Sequence, residues 1–336
     1  MRLENFAGNQ QAVGLLRQGR LPQSSLFTGP EGVGKKTLAL LLATLDNCKN
    51  PSRNDLCGSC SSCVKAALGN HPDILLFQPQ KDLIRIEVTR RLCREAQFRP
   101  FEGRLRFFII DEAEKMTPKA AHSILKTLEE PPETSRLVLI TAFPQRLLAT
   151  IRSRCQSFPF RPLDRGQVRA YLEEHSEAED LEVRAAFSEG SIGLALRLNT
   201  QELLQDRDRM LDLLAAWCER ESFALLYEKC EQQPLRTELK KRERVRHYVD
   251  VLQLLLQDLY FLQVGTTERV VNQDRIRDLD RLSENLELNW VRDFLYHVQG
   301  VKWDLDHYVN PLMCFETLWL MNRRKPSDAG SLYSKV

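Results

Sequence analysis

A chain of 336 residues exceeds what one hydrophobic core usually supports, and its 43% hydrophobic content suffices for two or three packed domains. Lys+Arg 48 against Asp+Glu 46 leaves a formal net charge of +2, which excludes the global field that marks general nucleic-acid or membrane binders. No stretch approaches the ~18 consecutive apolar residues of a membrane span, and MRLENFAGNQ lacks the apolar core of a secretory signal, so a cytoplasmic protein with no membrane partner is expected.

The first regular pattern is SSLFT at 24–28, a short apolar run that reads as a strand. It leads into Gly29-Pro30-Glu31-Gly32-Val33-Gly34-Lys35 and then a helical run, the setting in which a phosphate-binding loop is credible. Glycines let backbone N–H groups converge on phosphate oxygens, the helix start adds partial positive charge, and Lys35 is placed to meet the outer phosphates. The eighth position of such a loop ordinarily offers a hydroxyl to Mg²⁺. Here it is Lys36, and an ammonium has no lone pair to give a cation. Thr37 follows, but one helical step of about 100° turns it away from that position. Gly29, Gly32, Gly34, Lys35, Lys36 and Thr37 are therefore expected to form a site for ATP or ADP with weakly held Mg²⁺. An outward-turned Lys36, with water completing the metal shell, is the alternative the sequence leaves open.

Nine cysteines are many for a reducing compartment, and four of them crowd into residues 48–63. Cys48, Cys57, Cys60 and Cys63 form two adjoining C-x-x-C pairs that share Cys60, with a polar loop to bring Cys48 back to them. Four thiolates around Zn²⁺ is the economical solution, and a closed shell of that kind is structural. A disulfide pair, a three-cysteine site completed by His71, and an iron–sulfur cluster remain open on spacing alone. Cys93, Cys155, Cys218, Cys230 and Cys314 read as small core residues.

Further strands are predicted at DILLF (73–77), RFFIID (106–111) and RLVLIT (136–141), apolar runs alternating with helices as in a parallel sheet covered on both faces. Between the first two, residues 81–106 hold eight basic and four acidic side chains, a patch that reads as a solvated face before it reads as a phosphate-backbone contact. RFFIIDEAEKM places Asp111 and Glu112 at a strand's carboxyl end, where Asp111 is suited to hold Mg²⁺ through water and Glu112 to orient an attacking water. Thr117-Pro118 predicts a helix start, Ala121, Ile124, Leu125 and Leu128 its inward stripe, and Pro131-Pro132 its end. From about 164 onward every clear pattern is helical: Val245, Val249, Leu252, Leu256 and Leu259 line one face, LKKRERVR at 239–246 reads as solvated surface, Asn310-Pro311 opens a last helix, and 324–336 reads as a frayed end.

Taken together, TGPEGVGKKT, the four cysteines after it, NHPDI, FFIIDEAEKMT, ILKTLEEPPE, ATIRSRC and YVNPLMCFETL resemble the AAA+ clamp-loader subunits of bacterial DNA polymerase III, most of all the delta-prime type. The resemblance implies an α/β fold followed by an all-α part: an AAA+ P-loop domain at 1–163 with a zinc-binding insertion at 48–63, a small helical lid domain at 164–207 and a helical collar domain at 208–336. It implies a five-subunit ring that opens a sliding clamp and places it on primed DNA, with gamma/tau-like motor subunits and a delta-like subunit as partners, and with clamp and DNA met through the complex. Ser153-Arg154-Cys155 resembles the arginine-finger motif, which implies that Arg154 reaches nucleotide on a neighbouring motor subunit. Thr141 matches the polar sensor at a strand tip. Two departures from the motor subunits fall on the chain's own ATP site, Lys36 for the metal hydroxyl and Gly193 for the second-sensor arginine, with Arg197 four residues later. Little or no intrinsic ATPase is therefore expected, the alternative being an ATP-hydrolysing motor.

Overall fold

A computed structural model describes residues 3, 6–9, 13–14, 21–52, 55–176, 180–218, 238–306 and 309–322. Cys230, the side chain of Cys218 and the tail at 324–336 lie outside the described residues. By contact the chain divides into two compact units, residues 1–178 with 188–197, and residues 179–187 with 198–336.

The first unit is built on five parallel strands, β1 (Ser24–Thr28), β2 (Ile74–Phe77), β3 (Arg106–Ile110), β4 (Ser135–Thr141) and β5 (Gln156–Pro159), in the spatial order β2-β3-β4-β1-β5. Strand periodicity explains why these runs are apolar throughout. Phe27, Phe107, Ile109, Val138 and Ile140 enter a core on one face, and Leu26, Phe108, Ile110, Leu137 and Leu139 enter a second core on the other. Each fully buried large side chain of this kind contributes about 1.5–3 kcal/mol. β5 was not signalled in the sequence: it is short, it ends in proline, and only Phe158 of its four residues is buried. Those are the properties of an edge strand.

Helices α1 (Lys35–Asp46), α2 (Ser61–Ala67), α3 (Ile86–Ala96), α4 (Pro118–Ser123), α5 (Leu125–Glu129), α6 (Ala149–Arg152) and α7 (Arg165–His175) follow in chain order. The helix predicted from Thr117 starts as expected, with Thr117 Oγ1 accepting from the Ala120 amide. It is interrupted at Ile124, so the inward stripe is shared between α4 and α5. α8 (Leu181–Phe187) belongs to the second unit, whereas α9 (Ile192–Arg197) returns to the first.

The second unit is all-helical: α8, α10 (Thr200–Cys218), α11 (Glu238–Gln263), α12 (Ile276–Glu284), α13 (Leu288–Asp306) and α14 (Pro311–Met321). α11 packs against α10, α12, α13 and α14, and its predicted stripe is buried throughout, Val249, Leu252, Leu256 and Leu259 completely. Asn310 caps α14 by accepting from the Leu312 and Met313 amides. The basic run at 239–246 is not simply solvated surface. Arg242 donates to the carbonyls of Leu305 and Val309, and Arg244 pairs with the fully buried Asp206 at 2.9 Å, so both arginines tie helices of this unit together. No helix among the described residues is long and apolar enough to cross a membrane.

Candidate functional site

Parallel strands bring the predicted site residues to one carboxyl edge. Thr28, ending β1, lies in register with Thr141 of β4 and Pro159 of β5, and β3 delivers Asp111 to the same edge. The loop after Thr28 depends on glycine at two close approaches. Gly29 has φ 139° and a Cβ there would lie 2.2 Å from the Phe160 carbonyl oxygen; Gly32 has φ 75° and a Cβ there would lie 2.1 Å from Ser191 Oγ. Gly34, at φ 93°, caps α1.

Lys35 is buried, and its ammonium donates to the carbonyls of Gly29 and Pro30, the loop it would open to receive a phosphate. Burial lowers its pKa, against the raising influence of Glu114, Asp111 and Glu31. Lys36, its side chain 43% exposed, bends toward the first acid: its Nζ lies 3.1 Å from Asp111 Oδ2, and Gln78 Nε2 lies 3.3 Å from the same oxygen. Glu112, in the left-handed region at φ 51°, pairs with Lys115 at 2.6 Å, and Lys115 also reaches Asp82 at 3.5 Å. The hydrogen bond to Glu112 raises the pKa of Lys115. Magnesium demands near-octahedral oxygen ligands and holds fast to its waters. A site whose hydroxyl is an ammonium, and whose carboxylate already carries that ammonium, does not fit the ion.

Thr141 is buried with Oγ1 accepting from the Phe143 amide at 3.0 Å, which leaves its hydroxyl proton to donate. The start of α9 packs on the loop. Gly193 N–H donates to the Gly32 carbonyl at 3.0 Å, and a Cβ at 193 would sit 3.0 Å from Gly32 Cα. A larger residue at 193 would press on the phosphate loop itself. Arg197 is turned to Gly193 O at 3.0 Å and Glu31 at 3.5 Å.

The four clustered cysteines converge, with their sulfurs all within 4.8 Å of one another. Cys63–Cys48, Cys57–Cys63 and Cys48–Cys60 separations are 3.6, 3.9 and 4.0 Å. These are far from the roughly 2.05 Å of a disulfide and close to the ~3.8 Å edge of a tetrahedron with metal–sulfur bonds of about 2.3 Å. A polynuclear cluster would hold its thiolates farther apart. Backbone amides point at the sulfurs, Cys57 N to Cys48 Sγ and Cys60 N to Cys57 Sγ, both at 3.4 Å. Amides of Ser59 and Cys60 lower the Cys57 thiol to about 6, and burial pushes Cys63 up to about 12. The residues fit a structural zinc ion. His71 is not a fourth ligand. It is buried, its Nδ1 accepts from the Asp73 amide at 3.1 Å and its Nε2 lies 2.9 Å from Ser62 Oγ, which makes it a packing residue beneath α2. Cys155 and Cys314 are buried and Cys93 is partly so.

Arg154 follows α6 at the surface, about one third exposed, with Nε 3.1 Å from Glu129 Oε2 and Nη1 donating to the Thr150 carbonyl at 3.1 Å. Sequence reasoning missed the roles of Gln78, Lys115 and Glu129: Gln78 lies in no quoted motif, and although Lys115 and Glu129 lie within quoted motifs, no role was read for either, Lys115 meeting Glu112 three residues away and Glu129 meeting Arg154 through tertiary placement. It also counted Arg106 as a solvated cation, whereas the reading holds for Arg104, whose side chain is 59% exposed. Arg106 is 2% exposed and reaches Asp73 at 3.6 Å and Glu95 at 3.0 Å, and Arg104 pairs with Asp46 at 3.3 Å.

Sheet order, phosphate loop and the paired acids after β3 define a P-loop protein of the AAA+ class whose own metal position is held by a lysine. Comparison with known proteins narrows this. A family profile described as DNA polymerase III, delta subunit, matches residues 9–164, and its C-terminal counterpart matches residues 201–322. The chain is 30% identical over 307 residues, 91% of its length, to DNA polymerase III subunit delta-prime of Bacillus subtilis, covering 92% of that protein. It is 36% identical over 195 residues, 56% of its length, to DNA polymerase III subunit tau of Escherichia coli, covering 30% of that protein. Among solved structures, a gamma-subunit-related DNA polymerase III protein from Thermotoga maritima covers 95% of this chain and 99% of its own at 18% identity and TM-score 0.46, values that add nothing to the assignment. The chain belongs to the delta-prime family of DNA polymerase III clamp-loader subunits.

Proposed function

We propose that this chain is the stationary member of a clamp-loader ring, a subunit that helps load the sliding clamp onto primed DNA and lends a neighbour a guanidinium while hydrolysing little or no ATP itself. The observation that carries the reading is an asymmetry within one unit. Asp111 and Glu112, the acids that hydrolysis needs at home, are both held by lysines, whereas Arg154 stands at the surface with an exposed carboxylate, Glu129, as its ion-pair partner. A planar, always-charged guanidinium is suited to a phosphoryl-transfer transition state across a subunit boundary, where such a residue is worth about 10³-fold or more at the site it serves.

The delta-prime relative supplies the rest of the assembly: gamma/tau-like motors and a delta-like subunit as direct partners, clamp and primed DNA through the complex. In this reading residues 1–163 form the nucleotide-binding domain, 164–207 the lid and 208–336 the collar. The phosphate loop binds ATP or ADP, Thr141 senses it, and the cysteine cluster holds structural zinc. A motor role is favoured by the higher identity to tau, but that match spans only 56% of the chain and 30% of tau, against 91% and 92% for delta-prime. Steady-state hydrolysis by the purified chain, alone and after copurification with its partners, separates the two. Turnover only in the complex is expected. Robust turnover by the isolated chain that vanishes in Lys35→Ala would establish the motor instead.

A further inference from the structure

We infer that Lys36 is a resident counter-ion that stands in for the divalent metal, so that the phosphate loop takes a nucleoside polyphosphate without magnesium. The inference rests on the reading of this loop as a nucleotide site and goes beyond it by naming the form of the ligand.

Three features carry it. First, Lys36 occupies the first-turn position of α1 that would otherwise present a hydroxyl to the metal, and its Nζ lies 3.1 Å from Oδ2 of Asp111, the acid otherwise suited to the metal shell. The ion pair is complete within the chain: one positive charge sits beside the carboxylate with no ion supplied from solution. Second, Gln78 Nε2 donates to the same oxygen at 3.3 Å, so Asp111 Oδ2 faces two donors. An arriving dication would meet an ammonium at short range and would have to displace it. Third, the next acid is satisfied in the same way. Glu112 is held by Lys115 at 2.6 Å, and Lys115 is shared with Asp82. Neither Asp111 nor Glu112 is left to recruit a metal, and the third acid after β3, Glu114, has its electrostatic effect on Lys35.

What remains favours polyphosphate oxygens. The glycine loop retains its left-handed backbone at Gly29, Gly32 and Gly34. Lys35 is already beneath it, held by the Gly29 and Pro30 carbonyls, from which it can be drawn by a phosphate. With Asp111 neutralised by Lys36, one of the three negative charges that act on Lys35 is offset, leaving Glu114 and Glu31 for Lys35 itself to balance. Magnesium ordinarily does two things here, masking phosphate charge and bridging it to the acid; Lys36 makes the first less necessary and the second impossible.

The test is ADP and ATP binding to the full isolated chain by calorimetry, in excess magnesium and in EDTA, for the parent, Lys36→Thr, Lys36→Met and the double variant Lys36→Met/Asp111→Asn. The parent is expected to bind ADP with affinities differing by less than about twofold between the two conditions, and Lys36→Thr to gain a magnesium dependence of about tenfold or more. Lys36→Met should weaken ADP binding in EDTA, and the double variant should recover it, which separates loss of charge balance from loss of fold. Parent binding tightened tenfold by magnesium, no ADP or ATP binding in either condition, or a Lys36→Thr chain indifferent to magnesium would each overturn the inference. None of these outcomes bears on Arg154, whose contribution is read in the assembled ring.

Discussion

A carboxylate with no exposure to solvent is tolerable at Asp73 because its charge is met on every side. It accepts from the amides of Phe101, Glu102 and Gly103 at 2.7, 2.9 and 2.8 Å and lies 3.6 Å from the Arg106 guanidinium. Burial works to raise its pKa, yet these amides and Arg106 hold it below the ordinary aspartate value. A depressed folded-state pKa means stability that is present above the unfolded value of about 3.9 and lost as pH falls through the folded one. Asp73→Asn should therefore destabilise the protein by about 3 kcal/mol at neutral pH, with the gap to the parent closing as pH is lowered below about 4, measured by urea unfolding across that range. A gap independent of pH would contradict the electrostatic origin. At this scale the sequence was half legible. Lys36 stood out because a motif fixes what its position should carry, and Gly193 for the same reason. The partners of Lys36, Arg106 and Arg154 did not, since charge pairing across a sheet edge depends on which strands become neighbours, and a count of basic residues cannot distinguish a buried guanidinium from a solvated one.

Elements were legible where local chemistry dictates them. The glycine loop, the Thr117 and Asn310 caps and the buried stripe of α11 follow from backbone geometry and helical period. β5 and the break at Ile124 do not, because an edge strand with one buried side chain and a helix interruption are decided by tertiary packing. Asn310→Ala should cost about 1 kcal/mol in thermal or denaturant unfolding, the usual worth of an N-cap that accepts from first-turn amides. The cysteine insertion is a stronger test. Freshly purified protein should hold roughly one zinc per chain by elemental analysis, and Cys57→Ser should lose the metal and unfold at lower denaturant, because binding energy of a closed thiolate site is folding energy. Less than half an equivalent of metal in the parent, or a Cys57→Ser variant as stable as the parent, would remove the zinc from the account.

At the scale of the whole molecule, a net charge of +2 excluded a general nucleic-acid binder but said nothing of partners, for which the expectation came only from the resemblance carried by an ordered set of motifs. In the function proposed above, one compact unit would carry the nucleotide site and Arg154, and the other, all-helical, would hold the ring together. In the proposed function a positive charge is lent outward while the acids of the home site are paired with lysines. The direct measurement is ATP hydrolysis by rings reconstituted with parent, Arg154→Ala or Arg152→Ala chains, the last being a neighbouring exposed arginine and a control for charge, with copurification of all subunits checked for each. The account predicts that Arg154→Ala lowers hydrolysis by the share of the site it serves, that Arg152→Ala does not, and that all three rings assemble equally. Undiminished hydrolysis by the intact Arg154→Ala ring would contradict it.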